Sequence, residues 1–255
     1  LAKIAAIYMK IKEIDQLYGK HKNDTIYILG TGPSIRCFQN NFFDDKITIG
    51  LNQAFKLFNK LTYSITIHPY LIPNPPYNTQ WLTKRKTNCK GWQNHVRLKN
   101  HKHFYLFDNN NTVNDFSLLL GQGSNRGLFV GRGIQTAAMH LASILGASWG
   151  VLCGVPLGAY GPGAGEHHGL DQHTEFHGIS PEIVYKEYYY YSVKVRELLR
   201  KKYNTQFLTL TPFLGELYNQ EDYIKLCTEL NLPKLEVPKD VEYFKRRGHP
   251  VLDFI

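Results

Sequence analysis

The chain has 255 residues, enough to bury a full core as one α/β domain with extensions. Its 43% hydrophobic and 20% charged residues exclude disordered and fibrous classes. A formal net charge of +9 and a pI near 9.2 favour an anionic partner, whether nucleotide, nucleic acid, acidic glycan or membrane surface.

In chain order, Ile4, Ile7, Tyr8, Ile11, Ile14 and Leu17 recur at helical spacing, which predicts an amphipathic helix within residues 1–24. Short runs of β-formers follow at 26–29, 47–50, 63–67, 103–107, 150–153 and 206–210, several of them followed by helical patterns. That alternation predicts an α/β fold built on a mostly parallel sheet flanked by helices. Residues 133–146, GIQTAAMHLASILG, form the clearest helix, with Gly146 as its stop. A second helix is predicted at 180–203, where Ser180 offers an N-cap, Pro181 fits the first helical position and Glu182 adds an acid to the first turn.

Two stretches lack a regular pattern. Residues 68–130 read as an excursion or small subdomain, with prolines, scattered aromatics and basic groups concentrated in its first part. Residues 154–181, rich in Gly and His, read as a lid. The domain proper is then 25–217, and 218–255, with prolines at 233, 238 and 250, reads as a wrapping tail. Cys37, Cys89, Cys153 and Cys227 form no CxxC pair, which indicates neither a zinc ribbon nor a disulfide scaffold and fits a cytoplasmic protein. No run of about 18 apolar residues predicts a transmembrane segment.

Two strand ends carry the chemistry. In IYILGTGPS, Gly30 and Gly32 permit close backbone approach to a ligand, and the carboxyl end of such a strand is where open α/β sheets bind nucleotides. The turn is neither G-x-G-x-x-G nor a P-loop, which disfavours a dinucleotide dehydrogenase or a P-loop kinase. In ITIGLNQAF, the amides of Asn52 and Gln53 suit a base edge or ribose hydroxyls. Arg126 and Arg132 flank further glycines, and either guanidinium fork could pair with a diphosphate.

The cluster Glu166, His167, His168, Asp171, His173, Glu175, His177 has the donor density of a zinc or manganese site, but its spacing matches no metal motif. Histidines that grip phosphate or act as acid or base, His168 and His177 among them, are the more economical reading. No cofactor is therefore expected, and a divalent metal is not favoured.

GTGPS, NQAF, ITIHPY, GIQTAAMHLASILGASWGVLCGV and VKVRELLRKKYNTQFLTLTP together resemble the bacterial lipooligosaccharide sialyltransferases. They are also similar to the related proteins of the 6-hydroxymethylpterin diphosphokinase and flagellin-glycosyltransferase type. The resemblance implies a Rossmann-like domain with a lid that binds a nucleotide sugar without a metal. It places the nucleotide on Gly30, Thr31, Gly32, Pro33, Ser34 and Asn52, and sugar or phosphate contacts on Gly131 to Gly133, with Gln135 and Thr136. It implies a histidine base at the end of the lid, for which His177 is the nearest match, whereas an ungapped alignment puts Glu187 there. Tyrosines that steady the departing phosphate map onto Tyr185 and the run Tyr188 to Tyr191, including Tyr189, with aromatic packing on the sheet as their alternative role.

The expected activity is transfer of a sugar from a nucleotide-sugar donor to an acceptor hydroxyl. The acceptor is a glycan or, given the basic and aromatic residues at 81–105, a hydroxymethylated base in DNA. The alternatives are an ATP-dependent diphosphokinase of the pterin type and a catalytically inactive nucleotide- or nucleic-acid-binding module.

Overall fold

A computed structural model describes residues 12–32, 35, 38, 41–67, 78–84, 104–109, 127–131, 133–155, 181–210 and 228. Its strands are β1 (Lys12–Glu13), β2 (Thr25–Leu29), β3 (Ile47–Leu51), β4 (Tyr63–Thr66), β5 (Gln80–Lys84), β6 (Phe104–Asn109), β7 (Gly127–Leu128), β8 (Trp149–Cys153) and β9 (Gln206–Leu210). Its α-helices are α1 (Ile134–Ile144) and α2 (Pro181–Tyr203).

The strands form one sheet in the order β1-β6-β5-β4-β3-β2-β8-β9, with β7 paired to the far end of β6. Every described pairing is parallel. The chain builds outward from β2 through β3, β4 and β5 to β6, then returns to lay β8 on the other side of β2. The strand order therefore reverses at β2, and the carboxyl ends of β2 and β8 flank the switch point where open α/β sheets form their ligand crevice.

Both faces of the sheet are covered, as parallel strands require. Ile26, Ile28, Ile49, Leu51, Ile65, Leu82, Leu152 and Phe207 pack under α1, with Val195 and Leu199 of α2 in the same layer. All eleven residues of α1 are buried, because the helix is covered by α2 as well as by the sheet. The alternate residues Tyr27, Leu29, Val151, Cys153 and Leu208 face the other way, onto Ile35, Phe38, Phe43 and Leu61.

The structure differs from expectation at the amino-terminal end. Where the periodicity predicts a continuous helix, Lys12–Glu13 pairs with Tyr105 and Leu106, and Ile14–Leu17 forms a 3-10 turn. The i, i+3 spacing of Ile14 and Leu17 serves either geometry, since such positions eclipse in a 3-10 helix, and both side chains are fully buried. The first part of the predicted helix, 1–11, lies outside the described residues.

Most of the expected excursion at 68–130 lies outside the described residues. Its described parts include strands of the main sheet: β5 inserts between β4 and β6, and β7 extends the β6 edge. Trp81 and Leu82 drive that insertion, since both are buried, one on each face. Residues 156–180 of the expected lid at 154–181, and the expected tail apart from Thr228, lie outside the described residues.

Candidate functional site

At the switch point the chain leaves β2 through Gly30, Thr31 and Gly32. The Gly30 N–H donates to the Cys153 carbonyl and the Gly32 N–H to the Gly154 carbonyl, each at 2.8 Å. A methyl group on Gly30 would collide with the Gly154 carbonyl, whose carbon lies 2.9 Å from the Cβ position. Gly154 itself has φ of +64, and a methyl there would sit 2.8 Å from the Ile35 Cβ. The two glycines thus close a backbone seam between β2 and β8. The N–H groups that the sequence offers to a ligand at positions 30 and 32 are taken up by Cys153 and Gly154, with Thr31 between them in the turn. Pro33 and Ser34 lie outside the described residues.

One strand away, β3 ends on Asn52 in the left-handed region, φ +49, a conformation that asparagine tolerates better than most residues. Its N–H continues the ladder to the Ile65 carbonyl at 2.9 Å. Its Oδ1 accepts a hydrogen bond from the Thr66 hydroxyl at 3.0 Å. The carboxamide is half-buried and held through its oxygen. The adjacent Gln53 is turned to the surface, where Oε1 accepts from the Lys56 ammonium at 2.7 Å.

The third component is the start of α1. An α-helix between parallel strands runs antiparallel to them, so Gly133, its N-cap, lies at the same carboxyl edge as the β2 turn and Asn52. No side chain caps this end. The Thr136 hydroxyl donates to the Gly133 carbonyl at 2.8 Å, and the Gln135 side chain folds back over Gly133. Gln135 is 95% buried, given its 5% relative exposure, and its Nε2 has no partner among the described residues.

Helix α2 begins at this same edge, because it too precedes a parallel strand. Tyr185, Glu187 and Tyr189 lie in its first half, placed there by the backbone. Further along, Tyr191 packs against Gly131 and lies 6.0 Å from the Phe129 ring, the packing role expected for part of the tyrosine run. Tyr190 is exposed, with the Lys194 ammonium 5.6 Å over its ring. Arg132, His168 and His177 lie outside the described residues. Among the described residues no group of three or more His, Cys, Asp or Glu could hold a metal ion.

Three of the buried polar groups that escaped the sequence reading stand out. His140, in the middle of α1, accepts the Phe129 N–H on Nδ1 at 3.2 Å. Burial, reinforced by the Lys202 charge, pushes its pKa down to about 3, so the ring is neutral with its proton on Nε2. Thr66 and Thr83 are the other two, both fully buried. Their signal was the alternation in YSITI and QWLTK, which puts Ser64, Thr66 and Thr83 on the face opposite α1.

No protein-family model matches the chain, and neither does any curated protein sequence. Among solved structures, it is similar to the sialyltransferase CstII from Campylobacter jejuni in complex with CMP-3FNeuAc, at 17% identity and a TM-score of 0.44, covering 87% of this chain and 97% of that one. The same enzyme in complex with cytidine-5'-monophosphate aligns at 17% identity and a TM-score of 0.43, over 75% of this chain and 81% of that one. The MAf glycosyltransferase from Magnetospirillum magneticum AMB-1 aligns at 12% identity and a TM-score of 0.34, over 66% of this chain and 29% of that one. Among the described residues, no helix is long and apolar enough to cross a membrane.

Proposed function

We propose that the chain is a glycosyltransferase that moves a sugar from a nucleotide-sugar donor to an acceptor hydroxyl. The observation that carries this reading is the convergence of the β2 turn, the Asn52 carboxamide and the uncapped start of α1 on one carboxyl edge at the switch point. Such an edge suits a nucleotide: amide and hydroxyl side chains read its nucleoside, and helix N–H groups and the dipole favour its phosphates. The sequence resemblance supports a sugar as the group transferred.

In this reading the nucleotide lies against Thr31 and Asn52, with its phosphates towards Gly133 and Thr136 and the Arg132 guanidinium as their partner. A base from the lid or from α2, His177 or Glu187, takes the proton of the acceptor hydroxyl as that oxygen attacks the anomeric carbon. The bond from the anomeric carbon to the phosphate oxygen breaks, and the nucleotide leaves. His168, Tyr185 and Tyr189 stabilise its negative charge. No metal is required. The acceptor is a glycan or a hydroxymethylated base in DNA, and the net charge of +9 suits either an acidic glycan or DNA.

A thermal-shift screen against CMP-, UDP- and GDP-sugars and ATP, each with and without EDTA, tests the reading. One sugar nucleotide should raise the melting temperature by linkage and keep its effect in chelator. A response to ATP that EDTA abolishes would favour the diphosphokinase instead. Salt-sensitive binding of duplex DNA would assign the acceptor to nucleic acid.

A further inference from the structure

The face of β3, β4 and β5 turned away from α1 is buried but not apolar. Thr48, Ser64, Thr66 and Thr83 are all at most 1% exposed. Deep in the sheet these hydroxyls are used internally. Thr48 and Thr62 each accept the other's backbone N–H on Oγ1, at 2.9 and 3.1 Å, and the Ser64 hydroxyl donates to the Gly50 carbonyl at 3.3 Å.

At the carboxyl edge the pattern changes. The Thr66 hydroxyl donates to the Asn52 side chain at 3.0 Å, bridging β4 to the end of β3. Thr83 is the register partner of Thr66 on β5, and its fully buried hydroxyl has no hydrogen-bond partner among the described residues. A hydroxyl that gives its proton to a carboxamide oxygen decides which end of that amide faces out. A buried hydroxyl left without a partner beside it costs stability unless something else takes its hydrogen bond.

We propose that Thr66 is a positioning residue, which locks the Asn52 carboxamide so that it meets the nucleotide as a hydrogen-bond donor, with the Thr83 hydroxyl beside it as a second group for the same ligand. Asn52 then reads an acceptor oxygen, of a base carbonyl or of the ribose. The inference rests on the nucleotide-binding reading above and adds the sense of its recognition. Thr66 acts through Asn52, by removing the amide's freedom to flip before the ligand arrives.

The test uses the full chain and Thr66→Val, which keeps the shape and removes the hydroxyl, with Thr66→Ala as a second hydroxyl-free variant and Thr66→Ser as the rescue. The probes are CMP, UMP, GMP and ribose 5-phosphate. Calorimetry should show the bound mononucleotide weakened about tenfold in both hydroxyl-free variants, the effect of one net hydrogen bond, and restored in Thr66→Ser. Ribose 5-phosphate weakened in parallel assigns the acceptor to the sugar; ribose 5-phosphate unaffected assigns it to the base.

The lock is also read without ligand, from the Asn52 side-chain amide protons in a 15N-asparagine sample, assigned by their loss in Asn52→Asp. Their exchange with water should accelerate in Thr66→Val and slow again in Thr66→Ser. Unchanged affinity and unchanged exchange in Thr66→Val, with the wild type still binding a mononucleotide, overturn this proposal alone. Absence of binding by the wild type to all four probes overturns the nucleotide reading and the donor role together.

Discussion

Two stretches of the same strand edge are built from opposite materials. Along the β2–β8 seam the contacts are backbone to backbone, and the absence of side chains at Gly30 and Gly154 brings the chains together. At the ends of β3, β4 and β5 side chains take part, with the Thr66 hydroxyl bonded to the Asn52 carboxamide and Thr83 as the register partner of Thr66. The seam consumes its own hydrogen bonds, whereas the neighbouring patch leaves polar groups over. A glycine-rich turn after a strand therefore does architectural work here, while the polar side chains are concentrated along the neighbouring strands.

The largest effect comes from breaking the seam. Gly30→Ala drives a methyl into the Gly154 carbonyl, which is backbone and cannot rotate away. Overpacking against such a wall should destabilise the fold by about 3 kcal/mol, measured by urea denaturation. A Gly30→Ala protein as stable as the wild type would show that the seam is looser than its geometry states.

His140 sharpens the comparison because it is a buried polar group with its acceptor fully used, like the seam and unlike the patch. Its pKa of about 3 in the folded chain lies below the ordinary 6.5, so between those values the unfolded chain binds a proton that the folded chain refuses. Its contribution to stability is complete above pH 6.5 and is lost as pH falls towards 3, at about 1.4 kcal/mol per pH unit. At pH 5 the loss is about 2 kcal/mol relative to neutral pH. His140→Asn keeps an acceptor for the Phe129 N–H and cannot titrate, so its stability should fall less steeply over the same range. His21 adds a smaller slope of the same sign, since burial lowers its pKa against the opposing pull of Asp24. Denaturation midpoints at several pH values between 7.5 and 5 check this, and equal slopes for the two proteins would place the acid sensitivity elsewhere.

Much of the frame was legible in the sequence because it is written in local patterns. The β runs of β2, β3, β4, β8 and β9 and the periodicity of α1 and α2 are properties of consecutive residues, and the structure places those elements within a residue or two of expectation. The strand β5 was hidden because QWLTK mixes a tryptophan with polar residues beside a proline-rich run, and its place is set by neighbours on either side. The site divides in the same way. Gly30 and Asn52 stand out as breaks at strand ends, but that the Gly30 N–H is spent on β8 depends on a strand more than a hundred residues later. Thr66, Thr83 and His140 look like filler in sequence, and they acquire roles from lateral neighbours in the sheet or across the helix.

Asn52 joins backbone and side-chain construction at one residue, and two substitutions separate them. Asn52→Gly and Asn52→Ala both remove the carboxamide, so both should abolish the thermal shift given by the nucleotide. They differ in the backbone. At φ +49 glycine is at ease and alanine is strained, so the alanine variant should be about 1 kcal/mol less stable than the glycine variant. Equal stabilities would mean that position 52 relaxes out of the left-handed region once its side chain is gone.

The smallest expected effect tests whether the Thr83 hydroxyl is kept for a ligand. Thr83 has a fully buried hydroxyl without a partner among the described residues, and such a group costs the folded state about 1 kcal/mol or more. Thr83→Val replaces the hydroxyl with a methyl of nearly the same size, so without ligand the variant should equal the wild type or exceed it by up to about 1 kcal/mol. With the nucleotide present the order should reverse, because the wild type regains the missing hydrogen bond and the variant does not. A crossing of the two stabilities on adding nucleotide, followed by thermal denaturation with and without it, separates a hydroxyl kept for binding from one that packing tolerates. Parallel curves would assign Thr83 to the interior, as with Thr48 and Ser64 deeper in the sheet.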